Sequence, residues 1–140
     1  MMEYAVKLNT NGTVDLISVP EQRDWKWYPR QIGCDYIEHV YPRGLEEPYM
    51  MIVDENGLLQ DRPACNFYAS WLYGTHMHGE PIVGDVLIMK QIMTEDGPGI
   101  GGLEKKEAEA IQRKAYEQFF TAAAAVEKAL GERLVKPWQV

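Results

Sequence analysis

Polar and apolar residues alternate from Glu3 through Tyr4, Ala5, Val6 and Lys7 to Leu8, and the same two-residue period returns over residues 13–19. A period of two turns one face of a strand inward, so both segments predict strands. Asn11-Gly12 stands between them. That pair favours the two positive φ angles of a type I′ turn, which predicts a β-hairpin. Pro20 ends the second strand. A third alternating segment puts Ile37, His39 and Tyr41 on one face and Tyr36, Glu38 and Val40 on the other. Residues 48–53 are almost continuously apolar and predict a buried strand, with a turn at Asp54-Glu55-Asn56-Gly57 making a second hairpin. Residues 81–89 are the last strong strand segment.

Two short helices are expected between these strands. Residues 21–32 are polar and aromatic, and Pro29 prevents a long helix there. Tyr68, Trp71 and Leu72 give residues 63–74 one apolar side. Residues 94–102 are rich in glycine and read as a linker. From Leu103 to about Leu130 the period lengthens. Ile111, Ala115, Phe119, Ala122, Val126 and Leu130 form one stripe, on a helix of about 42 Å. Gly131 is the expected stop.

Strands first and one long helix last predict an α+β fold. It is a mainly antiparallel sheet of hairpins, about four to six strands, with short helices and a long C-terminal helix. The organisation expected is a core domain over residues 1–93, a linker over 94–102 and a helix over 103–134.

The chain has 140 residues, 46% of them hydrophobic and 25% charged, enough for one globular core. Fourteen basic residues against 21 acidic ones leave −7. That balance disfavours duplex nucleic acid and anionic membranes as partners. No apolar run approaches the ~20 residues of a membrane span. Cys34 and Cys65 allow at most one bridge, and the N-terminus lacks an apolar stretch of signal-peptide type. The expectation is a soluble cytoplasmic protein with free thiols.

The charge is uneven. Residues 94–109 carry five acidic and two basic side chains, or −3. Residues 23–30 carry Arg23, Lys26 and Arg30 against Asp24, or +2. Trp25, Trp27 and Tyr28 lie among those cations, and Phe67, Tyr68, Trp71 and Tyr73 form a second aromatic group beside Asn66. Rings with cations stack on bases and pair with phosphates. They also fill cores and subunit interfaces. Taken as a ligand pocket, the contacts are Trp25, Trp27, Arg30, Asn66 and Trp71.

Other motifs offer less. Gly97-Pro98-Gly99-Ile100-Gly101-Gly102 matches G-x-G-x-x-G, yet no strand follows the helix, Pro98 removes a donor, and Glu95, Asp96, Glu104 and Glu107 repel phosphate. His76 and His78 would share a face if extended, but a zinc site needs more ligands than the spacing supplies. Neither cysteine sits in a hydrolase signature, and Ser70 has no nucleophile elbow. No catalytic residue, metal site or cofactor is assigned.

A set of signatures in order runs through the middle of the chain. These are Gln31-Ile32-Gly33 and Tyr36-Ile37-Glu38, then Met51-Ile52-Val53-Asp54-Glu55-Asn56-Gly57-Leu58, then Pro63 with Asn66 and Ala69, then Ile82-Val83-Gly84-Asp85-Val86-Leu87-Ile88. In these, residues 6–89 resemble domain of unknown function 3846, a family of small phage and mobile-element proteins. Cys34-Asp35 departs from the glycine-rich continuation of that family, and residues 67–80 and the helical tail look like elaborations. The resemblance implies a context and no chemistry. The expected function is a non-enzymatic binding protein that counters a host defence, by sequestering a nucleotide signal or by blocking a host protein. The alternatives are a small nucleotide hydrolase using His76 or His78, and an accessory protein of mobile-element replication or regulation. The length of the last helix adds the expectation of a homo-oligomer.

Overall fold

The structure is a computed structural model that describes residues 2–61 and 63–135. Its strands are β1 (Glu3–Leu8), β2 (Val14–Val19), β3 (Ile37–Val40), β4 (Tyr49–Asp54), β5 (Val86–Thr94) and β6 (Gly97–Gly101). Its helices are α1 (Trp27–Ile32), α2 (Phe67–Tyr73) and α3 (Lys105–Val135), with a 3-10 turn at Gly57–Leu59. The sheet runs β2-β1-β5-β4-β3, with β6 pairing the far half of β5, and every pairing is antiparallel. The fold is α+β, with the long helix last.

Alternation along the strands divides the core in two. Val6, Leu8, Met51, Val53, Val86 and Ile88 face α2 and α3. Ala5, Val19, Ile52, Leu87 and Met89 face α1, where Ile32 closes over them. β5 is buried on both faces from Val86 to Met89. This explains its unbroken apolar run, since alternation survives only where one face meets water. The α3 stripe is used by the chain itself: Ala108, Ile111, Ala115 and Ala122 pack into the α2 side of the core.

Several expectations are corrected. The first hairpin forms in register, with Leu8 opposite Val14. Its turn is wider than type I′, because Asn9 N–H donates to Thr13 O at 3.0 Å and only Gly12 has positive φ. β4 does not turn back into a second hairpin after Asn56-Gly57. Its partners are β3 and β5, and the 3-10 turn carries the chain away. The last strand segment pairs from Val86 rather than residue 81 and continues to Thr94.

The expected linker is strand β6. Lys90 to Thr94 supply it with a partner strand, and its glycines permit the contact: a Cβ on Gly101 would lie 2.7 Å from Ile92 Cγ2. Leu103 then exchanges two backbone hydrogen bonds with Tyr4, at 2.8 and 2.7 Å. The G-x-G-x-x-G pattern thus serves cross-strand packing. α3 also runs through Gly131 to Val135.

Candidate functional site

The aromatic residues around α1 belong to one face of the sheet. Trp27 and Tyr28 meet edge to face, with centroids 5.2 Å apart, and pack on Ile32 and Leu87. Arg23 takes the cation position beside them. Its Cζ lies 6.0 and 5.6 Å from the two ring centroids. Its guanidinium donates to Tyr28 Oη at 2.7 Å, Pro20 O at 2.9 Å and Ile100 O at 2.8 Å. Trp25 is 59% exposed, and Arg30 is exposed on the same side.

Asn66 and Trp71 lie on the opposite face. Asn66 caps α2, accepting from Ala69 N–H at 3.2 Å and donating to Leu8 O and Gly84 O, both at 2.9 Å. With 1% exposure its amide is fully engaged in tying α2 to β1. Trp71 is the middle ring of a stack with Tyr68 and His76, each centroid 5.9 Å away. The five expected ligand contacts are therefore two groups, separated by the sheet, and they do not line one pocket.

The thiols are disfavoured as nucleophiles, and the two histidines part company. Burial, then Asp54 and Asp35, push the Cys34 thiol up to about 11. Burial pushes the Cys65 thiol up despite its contact with Ser70. Both changes disfavour the thiolate that nucleophilic chemistry needs. The segment holding His76 and His78 is a turn rather than extended, because the Met77 and His78 amides both donate to Gly74 O at 2.9 and 3.1 Å. The turn sends His76 against Trp71, with its Nδ1 buried and unpartnered, and leaves Met77 and His78 exposed. Among the described residues no three His, Cys, Asp or Glu side chains come together as a metal site.

A different group of residues does converge. β3 ends at Val40, Pro42 is buried, and the next turn folds onto the C-terminus of α2, where Gly44 N–H donates to Leu72 O at 2.9 Å. Arg43 thereby reaches Gly74, which closes α2. The result is a cleft of about 370 Å³ lined by Arg43, Tyr73 and His78 and by the strand edge at His39 and Tyr41, whose side chains belong to the α1 face: His39 stands opposite Ile52, and Tyr41 Oη donates to Gln91 Oε1 at 2.9 Å. Among the described residues no carboxylate lines the cleft, and neither ion pair, Lys7 with Asp85 or Lys90 with Glu107, involves it.

A second cleft of about 200 Å³ adjoins the first through Val40 and Tyr73. Glu38, Asp54, Glu55 and Glu80 make it acidic. The first group escapes sequence reading because its members are spread over residues 39–78. The available signal is two side chains each followed by glycine, Arg43-Gly44 and Tyr73-Gly74, which is what a loop packed closely on a helix end requires.

No curated protein matches the chain, and no solved structure does. The family model described as Domain of unknown function (DUF3846) matches residues 6–115. That span is well over half of the 140 residues, and it includes both clefts and every strand but the first residues of β1, so the chain belongs to the DUF3846 family.

Proposed function

We propose that this protein is a non-enzymatic binding protein of a phage or mobile element, and that it counters a host defence from within the host cytoplasm. It holds an anionic group in the cleft of Arg43 and His78. One observation supports this above the others. In a chain of net charge −7, this cleft brings Arg43, Tyr73 and His78 together with, among the described residues, no carboxylate. Its volume falls within the range of small-ligand sites, roughly 300–1,000 Å³. Arg43 offers a planar fork to phosphate or carboxylate, and Tyr73 offers ring surface. A hydrolase working through a thiol, or through His78 with a carboxylate, draws less support, since both thiols are pushed up and no carboxylate of the described residues lines the cleft.

The ligand of the first form is a nucleotide signal. Its test is incubation with cyclic and linear nucleotides, heat denaturation and recovery of the ligand. Intact recovery is expected, with a loss of about tenfold or more in affinity for Arg43→Ala, from the loss of a charged hydrogen bond. Conversion to product, or binding indifferent to Arg43→Ala, overturns it. The second form blocks a host protein, and the unpaired edge of β3 favours it. A homo-oligomer fits either form and is supported by Tyr116 and Phe120, one helical turn apart on α3 and 52% and 84% exposed. Light scattering tests it.

A further inference from the structure

The edge of the sheet at β3 carries unused backbone groups. Glu55 N–H donates to Tyr36 O at 3.0 Å, which makes 36 and 55 a hydrogen-bonded antiparallel pair. Antiparallel ladders alternate, so Glu38 with Val53 and Val40 with Met51 are bonded pairs too. The other side of β4 agrees. Gln91 N–H donates to Pro48 O at 2.8 Å, which sets Met50 with Met89 and Ile52 with Leu87 as the bonded pairs toward β5. Ile37 and His39 therefore turn their N–H and C=O groups off the sheet. Among the described residues no hydrogen bond reaches these groups.

The opposite edge is treated differently. Val14, the first outward residue of β2, gives its N–H to Tyr116 Oη at 3.0 Å and its carbonyl to Gln112 Nε2 at 2.7 Å. α3 thus closes the start of β2, while among the described residues nothing pairs the outward backbone groups of Ile37 and His39 on β3. Exposed edges pair with added strands unless something blunts them.

We propose that β3 is a docking strand to which an extended segment of a partner protein adds, antiparallel, by backbone pairing. This inference rests on the anion-holding role of the cationic cleft. The two clefts select the occupant by charge. Arg43, beside His78, lies toward the C-terminal end of β3, and Glu38, Asp54, Glu55 and Glu80 toward its N-terminal end. An antiparallel segment meets the cationic end first. Its acidic side chain therefore precedes its basic one, about four positions apart, to match the length of β3. Pairing at Ile37 and His39 supplies affinity independent of sequence, and the clefts supply the choice of sequence.

The test is selection of random displayed peptides against the full chain. Enrichment of an acidic residue about four positions before a basic one is expected, with β-branched residues between. An enriched peptide is then synthesised with N-methyl groups on alternate residues. Methylation in the register that faces β3 should weaken binding by about tenfold or more, and methylation in the other register should not. His39→Pro removes only an outward N–H and should weaken binding beyond His39→Ala, with circular dichroism checking the fold. Arg43→Ala and Glu80→Ala should each reduce affinity. Binding that tolerates methylation in both registers but still requires Arg43 overturns the docking strand and leaves the anion site standing. Binding that ignores Arg43 overturns both, and no enrichment overturns the docking strand.

Discussion

Arg43 lies across the Cα of Gly74, so that a Cβ built on the glycine would stand 3.1 Å from Arg43 Cδ and 3.6 Å from its Nε. Gly74 closes α2 with φ +102°, and its N–H donates to Ser70 O and Trp71 O. The stop of the helix and the seat of the cleft cation are thus one contact. Gly74→Ala strains the backbone and displaces Arg43 together. The expected result is a loss of about 1–2 kcal/mol in urea unfolding, with weaker binding of the anionic ligand by the folded fraction. Undiminished binding would show that Arg43 needs no seat.

The N-terminus of α3 makes stability depend on pH. Glu107 accepts from Tyr49 Oη at 2.6 Å, from Glu104 N–H at 3.0 Å and from Lys90 Nζ at 3.4 Å. Burial pushes its carboxyl up, but these donors outweigh burial and hold it below the usual range. A lowered folded value contributes stability above the unfolded value, which is lost as pH falls through the folded one. Tyr49 has the opposite sign. The bond to Glu107 and then burial push it up to about 12, so its contribution is complete below 10.0 and fades as pH rises toward 12. Glu107→Gln should cost about 1–2 kcal/mol at neutral pH. Urea midpoints of the variant and the parent should converge as pH falls through the lowered folded value of Glu107, and a constant gap would exclude the carboxylate as the cause.

These contacts show where a sequence stops speaking. The period of two in Glu3 to Leu8 locates β1 because one side of that strand must be apolar. The same reasoning misses β6, whose Gly and Pro composition reads as loop. It is a strand because β5 lies beside it, and its own propensity contributes little. The aromatic groups were legible as chemistry but not as places. Trp25 and Trp71 would share a pocket if α1 and α2 covered the same face, and hydrophobic period alone does not say which face a short helix takes. Arg43 and Gly74 are 31 positions apart, and only the turn after β3 joins them.

Asn66 is a structural residue, which separates it from any ligand role. Asn66→Ala removes the α2 cap and leaves Leu8 O and Gly84 O without their donor. The cap and two buried carbonyls together predict a loss of about 2–4 kcal/mol. Calorimetric melting measures it. Ligand affinity per folded molecule should be unchanged, and a selective loss of affinity without loss of stability would return Asn66 to the site.

The two cationic groups of the molecule make opposite predictions. Around α1, Arg23 already satisfies Tyr28, Pro20 and Ile100, while Trp25 and Arg30 stand exposed at the surface. At β3, Arg43 opens into a cleft free of carboxylates. Trp25→Ala and Arg30→Ala should therefore change stability by no more than about 0.5 kcal/mol, as surface substitutions do, and leave anion affinity near that of the parent. Arg43→Ala should leave stability similarly intact and abolish most of the affinity. The three variants measured together by calorimetric titration decide the location of the site: loss of binding in Trp25→Ala or Arg30→Ala with Arg43→Ala unaffected would move it back to α1, on the other side of the sheet.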